Sequence, residues 1–311
     1  MPIRVAVQAA PSDAVSWSAL ATALDDDDAF HALYAADHPG ATASPFVALA
    51  AAAGATERIR LGTCVVNAGC WEPLQLAAEV ATLDVVSAGR ALLGVGAGHT
   101  PAEWAMRGLD TPSGAARVDR LVEVVDATVA LLAGGAVSCR GDHVSLVDAV
   151  LDAPRPVQDP VPLLVGGNGP RVLEFAGRRA DVVGITGLGR TLADGHRHEV
   201  DWSPAALVAT AERVAAASTG RPPPELEALV QLVVVTDDAE QAAAEASEAV
   251  PGASAADLLR TPFAWIGTVE EIAAQLERFD AELGLARYVV REHHIEEVRA
   301  VVGALDARIG A

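Results

Sequence analysis

The sequence predicts an α/β protein, and within that class a (β/α)8 barrel. Three observations carry the expectation. Eight short apolar runs recur along the 311 residues, helical patterns separate them, and no linker-like stretch interrupts the alternation. Residues 1–311 therefore read as a single barrel domain. A doubly wound open sheet is the alternative with the same ingredients.

In chain order the predicted strands are 3–7, 32–35, 59–66, 91–95, 161–165, 181–185, 229–235 and 286–290. The first helix is read at 16–24. The next two, 45–53 and 73–86, each open on a proline, whose fixed φ and missing N–H suit a first helical turn. The clearest helix is 117–132, with Val118, Leu121, Val122, Val125, Val129 and Leu132 on one face. Further helices are predicted at 171–178, 204–217, 239–250, 269–283 and 296–305. Insertions fall after strands 4, 6 and 7: a hairpin over 138–146 turning at Gly141-Asp142, the polar segment 186–203, and the segment 250–265. The 186–203 segment reads as a lid or substrate wall, or else as a disordered insertion. The acidic run Asp25–Asp28 reads as solvated.

Composition limits the partners. A formal net charge of −20 argues against nucleic acid and anionic membrane surfaces, which need basic patches. Three cysteines, Cys64, Cys70 and Cys139, fit no zinc spacing and suit a reducing cytoplasm. No apolar run reaches the length of a membrane span. His196, His198, His293 and His294 lack suitably spaced partners, so no metal site is expected. Neither a GxSxG elbow nor an HExxH helix is present.

Ligands of barrels sit at the carboxyl ends of the strands, which directs attention to a few positions. Asn67 and Gly98 end the third and fourth strands. Asp37-His38 ends the second; a histidine there can move a proton near neutral pH, while the aspartate could bond a cofactor ring nitrogen or fix local geometry. A hydrogen-bonded loop pair is the plainer alternative. His99 follows Gly98, with Glu103 and Trp104 one turn further on. Gly166-Gly167-Asn168-Gly169-Pro170 links a strand to a helix, as a phosphate cradle or as a tight turn without ligand. GxGxxG spacing fits neither there nor at 94–98. Substrate walls are expected from the two later insertions with Trp71, Trp104, Trp202 and Trp265.

The chain resembles the luciferase-like monooxygenase superfamily, most closely its actinobacterial branch of F420-dependent oxidoreductases. The resemblance rests on RVAVQ at 4–8, ADH at 36–38, RLGTCVVN at 60–67, ATLDVVSAGRALLGVGAG at 81–98, RVDRL at 117–121, PRPVQ at 154–158, PLLVGGNG at 162–169, RRADVVGIT at 178–186 and IGTVEEI at 266–272. It implies a barrel that binds coenzyme F420, or alternatively FMN, usually as a homodimer, and that moves a hydride to or from a small organic substrate of enone, imine or carbonyl type. It also implies roles for residues. Asp37 and His38 lie near ring and substrate, with His38 and His99 as proton-transfer candidates. Cys64-Val65 is the place of a non-prolyl cis peptide supporting the ring, with Asn67 on the same strand end. Ala97 and Gly98 border the cofactor, and Gly166, Gly167 and Asn168 cradle its phosphate. His99 departs from a glutamate in related sugar-phosphate dehydrogenases, so their substrate is not carried over. Trp104 replaces a tyrosine near the phosphate.

Overall fold

The structure, a computed structural model, describes residues 2–192 and 198–309. The first half of the chain runs β1 (Arg4–Gln8), α1 (Ala14–Asp25), β2 (Phe30–Ala35), α2 (Pro45–Ala53), β3 (Arg60–Thr63), β4 (Val66–Asn67), α3 (Pro73–Val86) and β5 (Ala91–Gly96). It continues through α4 (Pro101–Ala105), α5 (Gly114–Ala133), the antiparallel pair β6 (Val137–Arg140) and β7 (Ser145–Ala149), β8 (Leu163–Gly166) and α6 (Pro170–Arg179). Next come β9 (Val182–Ile185), the hairpin of β10 (Leu188–Thr191) with β11 (His198–Val200), and α7 (Pro204–Ala217). The chain closes with β12 (Glu225–Leu229), β13 (Leu232–Val235), α8 (Ala239–Ala249), α9 (Ala255–Leu258), β14 (Ala264–Gly267), α10 (Val269–Leu283), β15 (Arg287–Arg291) and α11 (Ile295–Ile309).

Two compact units divide these elements. The N-terminal unit comprises Ala9–Asp28 and Ala32–Gly166; the C-terminal unit comprises the chain up to Gln8, Ala29–His31 and the chain from Gly167 onward. In the N-terminal unit β2, β3, β5 and β8 are parallel neighbours in that order, with β4 paired to β5. Register sets Ala35 opposite Thr63, Asn67 opposite Gly96, and Gly96 opposite Gly166. The carboxyl ends of β4, β5 and β8 thus finish level with one another. In the C-terminal unit β9, β12, β15 and β1 are parallel in that order.

Local chemistry explains the elements. Prolines open α2, α3, α4, α6 and α7 as the missing N–H permits. Asp13, Ser113, Ser203 and Thr268 accept hydrogen bonds from the first-turn backbone of α1, α5, α7 and α10. Asp25 is no mere member of a solvated run: its carboxylate accepts from the N–H groups of Glu57, Arg58 and Ile59 and ties the end of α1 to the start of β3.

The predicted strands are corrected at three places. The 59–66 run is interrupted after Thr63: the Cys64–Val65 peptide bond is cis, and the chain resumes as β4. The 229–235 run divides. Its second part, β13, pairs with β14 in a separate two-stranded sheet, while the strand that joins β9 and β15 is β12, carrying Glu225 and Glu227. Those acids conceal a buried strand: Glu227 is 1% exposed and Arg287, 5% exposed, donates to it at 2.9 Å. Finally, the polar 186–203 segment contains the β10–β11 hairpin, and His196 lies outside the described residues.

Thr63 fastens β3 to β5. Its hydroxyl donates to the Gly94 carbonyl at 2.6 Å and accepts from the Gly94 N–H at 2.9 Å. This approach requires glycine, because a Cβ at position 94 would overlap the Thr63 carbonyl oxygen. Gly94→Ala is expected to destabilise the protein by at least about 2 kcal/mol, the scale of an overpacked core. Chemical denaturation checks this, and a midpoint equal to the parent's would contradict it.

Candidate active site

The chain following β2, β4 and β5, with Asn67 at the end of β4, brings a polar cluster together in the N-terminal unit. Asp37, two residues past β2, is 7% exposed and accepts at one oxygen from the Asn67 backbone N–H at 3.2 Å and from Trp71 Nε1 at 2.8 Å. Trp71 packs edge-on against Phe46, with ring centroids 5.3 Å apart. His38 keeps 40% of its side chain exposed, and its Nδ1 lies 2.7 Å from Glu103 Oε1. The other oxygen of Glu103 accepts from Asn67 Nδ2 at 2.6 Å. His99 is exposed and meets His38 edge-to-face at 5.8 Å.

Backbone geometry makes the cluster possible. Gly98 has φ +71°, the left-handed region that favours glycine, and a Cβ there would overlap the Asn67 amide. Asn67 can therefore lie across the turn after β5 and reach Glu103. Its Oδ1 accepts from the Gly69 N–H at 2.9 Å, so both ends of the amide are engaged. Val65 stands close to where Cβ atoms on Gly96 and Gly166 would fall, wedging the β3–β4 break against β5 and β8. Ala97 and Gly98 are half-buried beside it, as is Cys64.

Glu103 is the charged centre. It is 4% exposed, and burial alone would push its carboxyl up. The hydrogen bonds from His38 and Asn67, with the charges of His38 and His99, outweigh burial and hold it below the ordinary glutamate value. The carboxylate is thus ionised at neutral pH. Arginines border the cluster: Arg107 donates to the Gly69 carbonyl at 2.5 Å and lies over the Trp104 ring at 5.4 Å, and Arg117 donates to the Gly98 carbonyl. Trp104 Nε1 and Arg117 Nε are buried with no hydrogen-bond partner among the described residues.

Of the sequence-predicted site residues, Asp37, His38, Cys64, Val65, Asn67, Ala97, Gly98, His99, Trp104 and Gly166 all belong to this unit. Gly167 and Asn168 begin the C-terminal unit. There Asn168 accepts from the N–H groups of Thr186 and Gly187 and donates to the Thr186 hydroxyl at 2.7 Å. Its side chain is committed to closing the turn after β9, and the Gly167 N–H beside it donates to the Gly184 carbonyl at 3.0 Å. A cleft beside it is bounded by Ile185, Leu188, Asp201, Thr210 and Phe263. Trp202 and Trp265, expected as substrate walls, are 4% and 0% exposed and pack on Phe263 and Tyr288 respectively. Trp71 acts on Asp37. Glu103, placed by the sequence one turn beyond His99 but given no role there, proves to be the buried acceptor of His38 and Asn67, and Trp71, expected as a substrate wall, donates to Asp37.

Fold and site together define a class: a parallel α/β protein whose polar centre lies where its strands end. The sequence profile of the luciferase-like monooxygenase family matches residues 8–306, and the chain belongs to that family. It is an enzyme of the family, with a fold of eight parallel barrel strands and surrounding helices. An F420-dependent glucose-6-phosphate dehydrogenase from Beutenbergia cavernae is 32% identical over 252 residues, covering 78% of this chain and 69% of that protein. Among solved structures, a coenzyme F420-dependent tetrahydromethanopterin reductase from Methanopyrus kandleri superposes with a TM-score of 0.77 at 18% identity, covering 99% of both chains. A monooxygenase from Streptomyces bottropensis gives 0.75 at 23% identity, covering 99% of this chain and all of the other. Among the described residues no helix is long and apolar enough to cross a membrane, and no group of three or more His, Cys, Asp or Glu could hold a metal ion.

The depressed titration of Glu103 has a consequence for stability. Its ionised form favours the folded chain, so its contribution is full above the unfolded value near 4.5 and is lost as pH falls through the lower folded value. Thermal melts from about pH 6 down to about pH 3 are expected to fall more steeply for the parent than for Glu103→Gln. Parallel slopes would contradict the assignment.

Proposed function

We propose that this enzyme is an F420-dependent oxidoreductase that transfers a hydride between the deazaflavin and a small organic substrate of carbonyl, imine or enone type. The observation that carries the reading is the His38 imidazole, partly exposed at the end of β2 while a buried carboxylate holds its other side. The F420 dependence of the Beutenbergia cavernae and Methanopyrus kandleri relatives supports the choice of coenzyme.

The residues present fit such a group. The buried N–H groups of Trp104 and Arg117 are donors without acceptors among the described residues, and a deazaflavin with its ribityl phosphate is rich in acceptor oxygens. Small residues at 96–98 and 166 leave the strand ends low, with Val65 and Cys64 as the supporting ridge. When bound, F420 supplies a two-electron hydride carrier. His38 then moves the accompanying proton, with His99 beside it as the second imidazole, and Asp37 fixes the Asn67 backbone and Trp71 around the centre. We place the whole chain in one barrel domain that pairs as a homodimer, a reading supported by exposed Val47, Leu74 and Val85 on the adjacent helices α2 and α3. Among the described residues the three cysteines form no disulfide, as suits a reducing cytoplasm.

His38→Ala is expected to lower turnover by at least about 100-fold, the scale of a lost general acid–base, while F420 affinity stays within a few-fold of the parent. Unchanged turnover would remove His38 from the chemistry. Parallel fluorescence titrations with F420 and FMN test the coenzyme directly: binding of F420 is expected, and binding of FMN alone would turn the assignment to a flavin monooxygenase.

A further inference from the structure

Glu103 is enclosed by the protein, yet two side chains of the site converge on it from different strands' ends. His38 Nδ1 sits 2.7 Å from one oxygen and Asn67 Nδ2 2.6 Å from the other. An ionised carboxylate only accepts hydrogen bonds, so the hydrogen between it and His38 must reside on Nδ1. In the neutral imidazole the lone pair is then on Nε2. The partly exposed side chain is anchored through its Nδ1 edge.

We propose that Glu103 is the positioning residue of this centre: it holds His38 as the Nδ1–H tautomer, so that the proton exchanged with substrate is taken up and returned at Nε2. The inference rests on the reading of His38 as proton carrier. Asn67 keeps the carboxylate aimed, and Gly98 gives Asn67 the room to do so. His99 lies beside the pair, at 5.8 Å ring to ring with His38, and Asp37 is tied to the Asn67 N–H and to Trp71. A buried acid that fixes the tautomer of an imidazole raises the rate without touching the substrate. A simple strut holding α4 in place would be served equally well by glutamine, which also fills the space and accepts from Asn67. Glutamine, however, offers His38 an N–H as readily as an oxygen, and so loses the choice of tautomer.

The test uses the full chain labelled with 15N-histidine, with the His38 signal assigned by its loss in His38→Ala. In the parent without coenzyme, neutral His38 is expected to show a protonated Nδ1 and a bare Nε2. Glu103→Gln is expected to mix or reverse that pattern and to lower kcat more than about tenfold with little change in KM, the split of a group that acts through orientation. A parent signal from the Nε2–H tautomer would overturn the proposal, and so would a glutamine variant with unaltered shifts and kcat. The parent measurement needs no variant at Glu103 to fold. The two readings fail separately: undiminished turnover in His38→Ala removes the proton-carrier role, whereas an Nε2–H signal with His38-dependent turnover removes only the positioning role of Glu103.

Discussion

A carboxylate taken out of water sets the terms for the site. Burying an isolated charge costs several kcal/mol, and the cost is tolerable only where donors surround the ion. Glu103 meets that condition with one imidazole and one carboxamide. Each partner carries a further demand. Asn67 must lie across the turn after β5, which calls for glycine at 98; His38 must leave β2 at the right point, which the Ala35–Thr63 register helps to set. The site is therefore a consequence of strand register more than of any loop's own preference.

The interrupted third strand fits the same logic. Thr63 hands its hydroxyl to Gly94, the chain breaks at Cys64–Val65, and β4 resumes two residues later against β5. That break places Asn67 level with Gly96 and seats Val65 beside Gly96 and Gly166. A continuous strand would present a different set of side chains, since slipping the register by one residue exchanges the two faces of the sheet. In the C-terminal unit a second buried charge serves the fold instead. The Arg287–Glu227 pair, with Glu225 beside it, lies within the β12–β15 ladder. It sits at the start of β15, away from the carboxyl ends of that unit's strands.

These two buried charges also show which parts of the molecule the sequence discloses. Helices opened by proline, such as 45–53, 73–86 and 204–217, are legible to the residue, because the cap is chemical and local. The strand carrying Glu225 and Glu227 is not, because its acids are neutralised by an arginine some sixty residues away. The same holds at the site. Asp37, His38, Asn67 and Gly98 stand at strand ends and can be found by position, whereas Glu103 becomes meaningful only when folding brings His38 to it. Trp71 reads as a wall and acts as a hydrogen-bond donor to Asp37. Asn168 reads as a phosphate ligand, yet its amide closes the turn after β9. Pairings distant in sequence, and the choice between a side chain's two possible uses, are what the linear pattern withholds.

The central claim is that a coenzyme and its substrate meet beside His38 while Glu103 grips the far side of that ring. A crystal structure determined with F420 bound tests it most directly. The deazaflavin ring is expected against the Cys64–Val65 ridge, with His38 still bonded to Glu103 through Nδ1 and its Nε2 turned toward the substrate space. A ring bound away from residues 64–67, or a His38 that abandons Glu103 when the coenzyme enters, would contradict it.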